Sequence, residues 1–165
     1  MPTTYKLFET AEQIEGICAE TYRVMAEQFG GDPETRELFE RLAREELQHA
    51  SRVRLLAARY RHDPRLLGGG DSAGLDNMLA EALEVLASVR GGSFARTAEE
   101  ARAKAAELEE RFAHAHAELI TRQGHPALRE FFRQLAAQDR GHRELLRKPS
   151  DAPARRPRSR RPEGE

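Results

Sequence analysis

Two segments of the chain, 93 residues apart, carry the same pattern. Residues 33–49 read PETRELFERLAREELQH and residues 126–142 read PALREFFRQLAAQDRGH. Proline, Arg-Glu, Phe, Leu-Ala, an acid and a histidine fall in register. A repeat of this kind points to a duplicated supersecondary unit, and a duplicated helix hairpin is the simplest unit that fits. Both segments open on proline, which the first turn of a helix tolerates because that N–H has no partner there.

The rest of the chain reads in the same way. Glycine and proline cluster at Gly30-Gly31-Asp32-Pro33, Gly68-Gly69-Gly70, Gly91-Gly92 and Gly124-His125-Pro126, and these clusters are breaks. Between them the apolar spacing is helical over about 8–29, 33–60, 73–89, 97–122 and 126–147. Strand signals are nearly absent. Short loops join the first two helices and the last two, so each pair runs antiparallel. Some 36 residues containing the short helix separate the pairs. Two hairpins joined by a long crossover form an all-α four-helix bundle of the ferritin-like arrangement.

Composition removes several alternatives. No apolar run approaches the ~18 residues of a membrane span. The first thirty residues lack a signal-peptide pattern, so a cytoplasmic protein is expected. The lone Cys18 cannot close an internal disulfide, and there is no Cys-x-x-Cys pair. Net charge is -1, which argues against a global polyanion binder. Arginine outnumbers lysine 24 to 3, a bias of genome composition rather than chemistry. The charge is uneven: residues 148–165 hold four prolines, six basic residues and three acids, so 1–147 carries -4. That division sets the domain at 1–147 and leaves 148–165 as a basic tail too poor in apolar residues to order itself. A solvated tail is expected there rather than a nucleic-acid contact.

The chemistry sits on the repeat. On the second helix the apolar stripe steps through Phe39, Leu42, Ala43, Ala50 and Val53, and its missing steps are Glu46 and His49. On the last helix it runs Leu128, Phe131, Phe132, Leu135, Ala136 and Leu146, and the missing steps are Asp139 and His142. All four are therefore expected to point inward. A buried carboxylate without a partner costs several kcal/mol, and a shared divalent cation supplies one. With 28 acids and 6 histidines in the chain, one acid three residues before a histidine means little. The weight lies in the matched inward placement. The competing reading is a pair of structural Glu–His and Asp–His hydrogen bonds.

A dinuclear site also takes a carboxylate from each of the other two helices. Glu15 lies on a shoulder of the first helix and Glu109 on the matching shoulder of the fourth. A shift of 94 residues overlays them, and also overlays Tyr22 on His116. At about 1.5 Å per residue the four carboxylates reach a common level. Glu20 competes with Glu15, and Glu107 and Glu110 compete with Glu109. Glu110 lies opposite the apolar stripe, where a solvated role is expected. Tyr22 and His116 are either partners that orient a carboxylate or ordinary half-buried side chains. His114 is read as a surface residue, His62 and His125 as loop residues, and Cys18 as a small core hydrophobe. Oxygen-rich ligands with two imidazoles suit iron or manganese better than structural zinc.

These residues resemble the ferritin-like superfamily, and within it the rubrerythrin-type di-iron domain. The resemblance rests on Glu15 with Tyr22, Glu46-x-x-His49, Glu109 and Asp139-x-x-His142, and covers about 8–147. It implies two iron ions, a four-helix bundle that often forms a homodimer, and the reaction of ferrous iron with oxygen or peroxide. Glu46 and Asp139 would bridge the metals, His49 and His142 would each hold one, and Glu15 and Glu109 would be terminal ligands. Asp139 departs from the family's usual glutamate, and its shorter arm bears on how the metals are bridged. With no Cys-x-x-Cys pairs there is no rubredoxin module, so electrons would come from a separate protein or from ferrous iron itself. A ferroxidase or storage-associated bundle, and a non-enzymatic helical interaction protein, are the rival functions.

Overall fold

A computed structural model describes residues 3–61 and 72–148. The triglycine at 68–70, His62 and the basic segment from 149 onward lie outside the described residues. Five helices follow in order: α1 (Thr3–Gln28), α2 (Pro33–Tyr60), α3 (Ala73–Arg90), α4 (Ala98–Arg122) and α5 (Pro126–Arg147). No strand occurs among the described residues. The architecture is all-α and compatible with a ferritin-like bundle, with α1, α2, α4 and α5 as the bundle and α3 in the crossover. No described helix is long and apolar enough to cross a membrane.

The expected helix bounds hold within a residue except at the start of α1. That helix begins at Thr3 rather than near residue 8, because Leu7 and Phe8 are fully packed into the core and carry the helix back with them.

Local chemistry sets the helix ends. Pro33 and Pro126 open α2 and α5 as expected. Thr97 caps α4 by accepting from the Glu100 N–H at 3.1 Å, and Glu100 reaches back to the Arg96 N–H at 2.9 Å. This is a near relative of the capping box. His125, expected to be a plain loop residue, is the N-cap of α5, where its Nδ1 accepts from the Ala127 N–H at 3.1 Å. At the other end of α5 the buried Arg102 guanidinium donates to the carbonyls of Leu146 and Lys148, groups the helix itself leaves unpaired. Gly92 follows α3 with φ of 71°, a left-handed conformation that suits glycine.

Packing divides the interior in two. One apolar cluster gathers Leu7, Phe8, Ile14, Val53, Leu108, Phe112, Leu128 and Phe132 with Leu75 and Met78 of α3. The other gathers Tyr22, Met25, Phe39, Leu42, Ala101, Ala105 and Leu146 with Val89 of α3. Helix α1 packs closely on α2, and α4 on α5, whereas α2 and α5 approach each other sparingly. Helix α3 lies chiefly on α1. The gap between the hairpins, at the level between the two clusters, is filled by polar side chains.

Candidate metal centre

Glu15, Glu46, His49, Glu109, His116, Asp139 and His142 are all buried, and they come from all four bundle helices. Each stands where the apolar stripe of its helix skips a step or on the shoulder beside it, so core packing itself turns them inward. Glu46 is at the centre. Its Oε2 is 3.1 Å from His49 Nδ1, and its Oε1 is 3.0 Å from His142 Nδ1. Glu15 adds a second oxygen at 3.3 Å from His49 Nδ1. Glu109 adds one at 3.5 Å from His142 Nδ1. Two groups of two carboxylates and one imidazole therefore share Glu46, which turns one oxygen to each. The histidine rings face each other with centroids 5.3 Å apart and planes 13° off parallel.

The competitors are elsewhere. Glu20 pairs with Arg23 at 2.7 Å and Arg90 at 2.9 Å on the surface. These two arginines hold its carboxyl down at about 2. Glu110 pairs with Arg143, and Glu107 is exposed. His114 is exposed beside Glu118. Cys18 is buried, and burial together with the nearby carboxylates pushes its thiol well up, so it behaves as a small apolar group.

Tyr22 and His116 both hold carboxylates. The Tyr22 hydroxyl donates to Glu109 Oε1, which crosses from α1 to α4. A hydrogen bond of 2.7 Å joins His116 Nδ1 to Asp139 Oδ2 and leaves the other Asp139 oxygen free of that bond. Asp139 differs from Glu46 here: the shorter side chain is tied to His116 on α4 rather than lying between the two central histidines.

So many acids in one dry layer cannot all be ionised. Burial, with Glu46 beside it, pushes Glu15 up to about 8. Burial also pushes Glu109 up, to about 7, against the pull of His142. Asp139 rises well above the carboxylate range for want of solvent and because Glu46 is near. Burial works against ionisation of Glu46 as well, yet His142 and His49 on either side hold it below the usual range. Burial would lower both central imidazoles, but the carboxylates prevail and carry His49 to about 9 and His142 to about 11. His116, without an ionised partner, is lowered by burial to about 4 and is neutral. Without a cation among them, these groups hold several protons around a single firm negative charge.

The residues fit a metal ion. The ligand atoms of Glu46, His49 and His142 lie within 4.8 Å of one another. His142 Nδ1 is buried and makes no aligned hydrogen bond, although two carboxylate oxygens stand within 3.5 Å of it. A nitrogen that faces two carboxylates is held by a proton in the unloaded protein, and a metal ion between the same atoms would take that proton's place. Four carboxylates and two imidazoles are a donor set for iron or manganese rather than for structural zinc.

Sequence reasoning passed over one residue in contact with the centre. Glu45 Oε2 is 3.2 Å from His142 Nε2. The charged face of α2 hid it, since a second acid beside an inward one reads as solvated. The comparisons with known proteins agree with this geometry. The family model described as rubrerythrin matches residues 6–150. No curated protein and no solved structure matches the chain.

Proposed function

The chain belongs to the rubrerythrin family, and on that premise we propose that it is a non-haem di-iron carboxylate protein that reacts ferrous iron with peroxide or oxygen. The observation that carries this reading is Glu46, ionised and turned with one oxygen toward His49 and the other toward His142. In the proposed assignment Glu46 and Asp139 would be shared by the two ions, His49 and His142 would each hold one, and Glu15 and Glu109 would be the terminal carboxylates. Manganese suits the same donors. Two ferrous ions, if held there, would supply two electrons, which with two protons convert one peroxide to two molecules of water.

The chain's own residues do the remainder. In the unloaded layer burial raises the Glu15 and Glu109 carboxyls to about 8 and 7, so both would release protons as the ions bind. Tyr22 fixes the Glu109 carboxyl and His116 fixes Asp139, so the ligands are oriented before any ion arrives. The apolar clusters on either side exclude water from the layer. We assign this function to residues 1–147 and give 148–165 no part in it. A homodimer in the cytoplasm, supplied with electrons by a separate protein, completes the proposal.

The test is anaerobic loading with ferrous iron, followed by a peroxide pulse watched in the near-ultraviolet. About two irons per chain and a fast ferric oxo band support the reading. No stoichiometric metal would sink it and leave the inward pairs as structural, the case of a helical interaction protein. A large shell rather than a dimer on size exclusion would favour the ferroxidase or storage alternative.

A further inference from the structure

The two central histidines present equivalent inner nitrogens, but their outer edges differ. On His142 the Nε2–H donates to Glu45 Oε2 at 3.2 Å. Glu45 is in turn paired with a cation, the Arg41 guanidinium. The Arg41 Nε–H donates to Glu45 Oε1 at 2.7 Å. A chain of three side chains thus runs from the surface to the buried imidazole, and the Glu45 side chain is 30% exposed against 4% for His142.

The repeat gives this chain a built-in comparison. At the matching positions, 93 residues on, Gln138 stands for Glu45 and Gln134 for Arg41. Among the described residues no carboxylate meets the outer edge of His49. That edge borders a cavity of about 30 Å³ lined with Val53, Phe131, Gln134 and Gln138. The inner positions of the repeat are alike, and the outer ones are not.

We propose that Glu45 is a positioning residue that makes the two halves of the centre unequal, so that the His142 half takes up a divalent cation first and more tightly than the His49 half. The proposal rests on the two-metal reading above. An anionic acceptor on Nε2–H selects the tautomer whose Nδ1 lone pair faces Glu46 and Glu109. It holds the ring in the ligating orientation, and it makes the imidazole a stronger donor to a cation. His49 has none of these aids and must settle tautomer and ring angle as its ion binds. The order of filling is therefore written in α2, one residue before the shared ligand.

Anaerobic calorimetric titration of the full chain with cobalt(II) tests this, with proton NMR of the shifted imidazole N–H signals alongside. The unaltered chain should show two resolved events. Glu45→Gln should weaken the tighter event by about 10–100-fold, leave the weaker within twofold, and speed solvent exchange of one imidazole N–H. Gln138→Glu should strengthen the weaker event and narrow the gap. A Glu45→Gln variant that keeps both affinities, or loses both alike, overturns the proposal, as does a Gln138→Glu variant without effect on the weaker event. Should the unaltered chain bind no cobalt, the two-metal reading falls and this proposal with it. Two ions bound equally, with Glu45→Gln indifferent, removes this proposal alone.

Discussion

The α1–α2 hairpin and the α4–α5 hairpin offer the centre the same inner set, a terminal glutamate and an acid-x-x-His pair, but support it differently. In the first, Glu46 is ionised between two imidazoles. In the second, Asp139 is pushed toward its neutral form and tied to His116. Tyr22 occupies the place in α1 that His116 occupies in α4, and Glu45 the place that Gln138 occupies in α5. The duplicated positions that face the middle are pinned by the need to balance charge in a dry layer. Those one step out are free to diverge, and the divergence makes one half of the centre unlike the other.

The largest expected effect strikes the shared element. Glu46→Ala leaves His49 and His142 with no firm negative charge between them, which costs about 3–5 kcal/mol in the unloaded protein. It should also abolish paired metal binding, read as metal per chain after anaerobic loading and desalting. Two ions per chain in that variant would refute the assigned site. Asp139→Ala should do less, keeping one ion bound by Glu46 and its histidine. Equal losses from the two variants would erase the contrast between the hairpins.

Next comes pH. Glu15 and Glu109 are raised, so the unloaded fold loses stability as pH climbs from about 4.5 toward 8 and 7 respectively. The raised His49 adds stability that is complete below about 6.5 and gone as pH passes about 9. Both signs agree, and the unloaded melting temperature should fall by several degrees between pH 6.5 and 9. Metal affinity should rise over the same window, because an entering cation displaces those protons. A melting temperature that rises with pH in the unloaded protein would contradict the charge assignment.

Tyr22→Phe is expected to cost about 1–2 kcal/mol in urea unfolding, since it strips a donor from the buried Glu109. At the low end, Glu20→Ala and Glu110→Ala should change stability by about 0.5 kcal/mol or less and leave metal content alone. These acids sit on the same helices as Glu15 and Glu109, so the pair of null results marks where the centre stops.

Much of this was legible in the sequence. The repeat and the skipped steps in two apolar stripes locate Glu46, His49, Asp139 and His142 without coordinates. The shoulders of α1 and α4 favour Glu15 and Glu109, and the surface pairing of Glu20 and Glu110 with arginines settles which acids reach the layer. Periodicity is blind to contacts between helices. Arg102 at the end of α5, His125 at its start and Glu45 behind His142 are polar residues used by another segment, or by their own backbone. Nothing in their spacing separates them from solvated neighbours. The early start of α1 was missed for a related reason: Leu7 and Phe8 declare a core only once α5 brings Phe131 against them.

Helix α3 bears on a different matter, the time before metal arrives. It places Leu75 and Met78 in one apolar cluster and Val89 in the other, and Val85 packs against both. It thereby spans, from outside, the acidic layer that divides them. A layer of crowded acids would otherwise be a cleavage plane along which the bundle could part. The crossover acts as a splint across that plane. The two apolar clusters are therefore joined through α3 without any help from the polar layer between them.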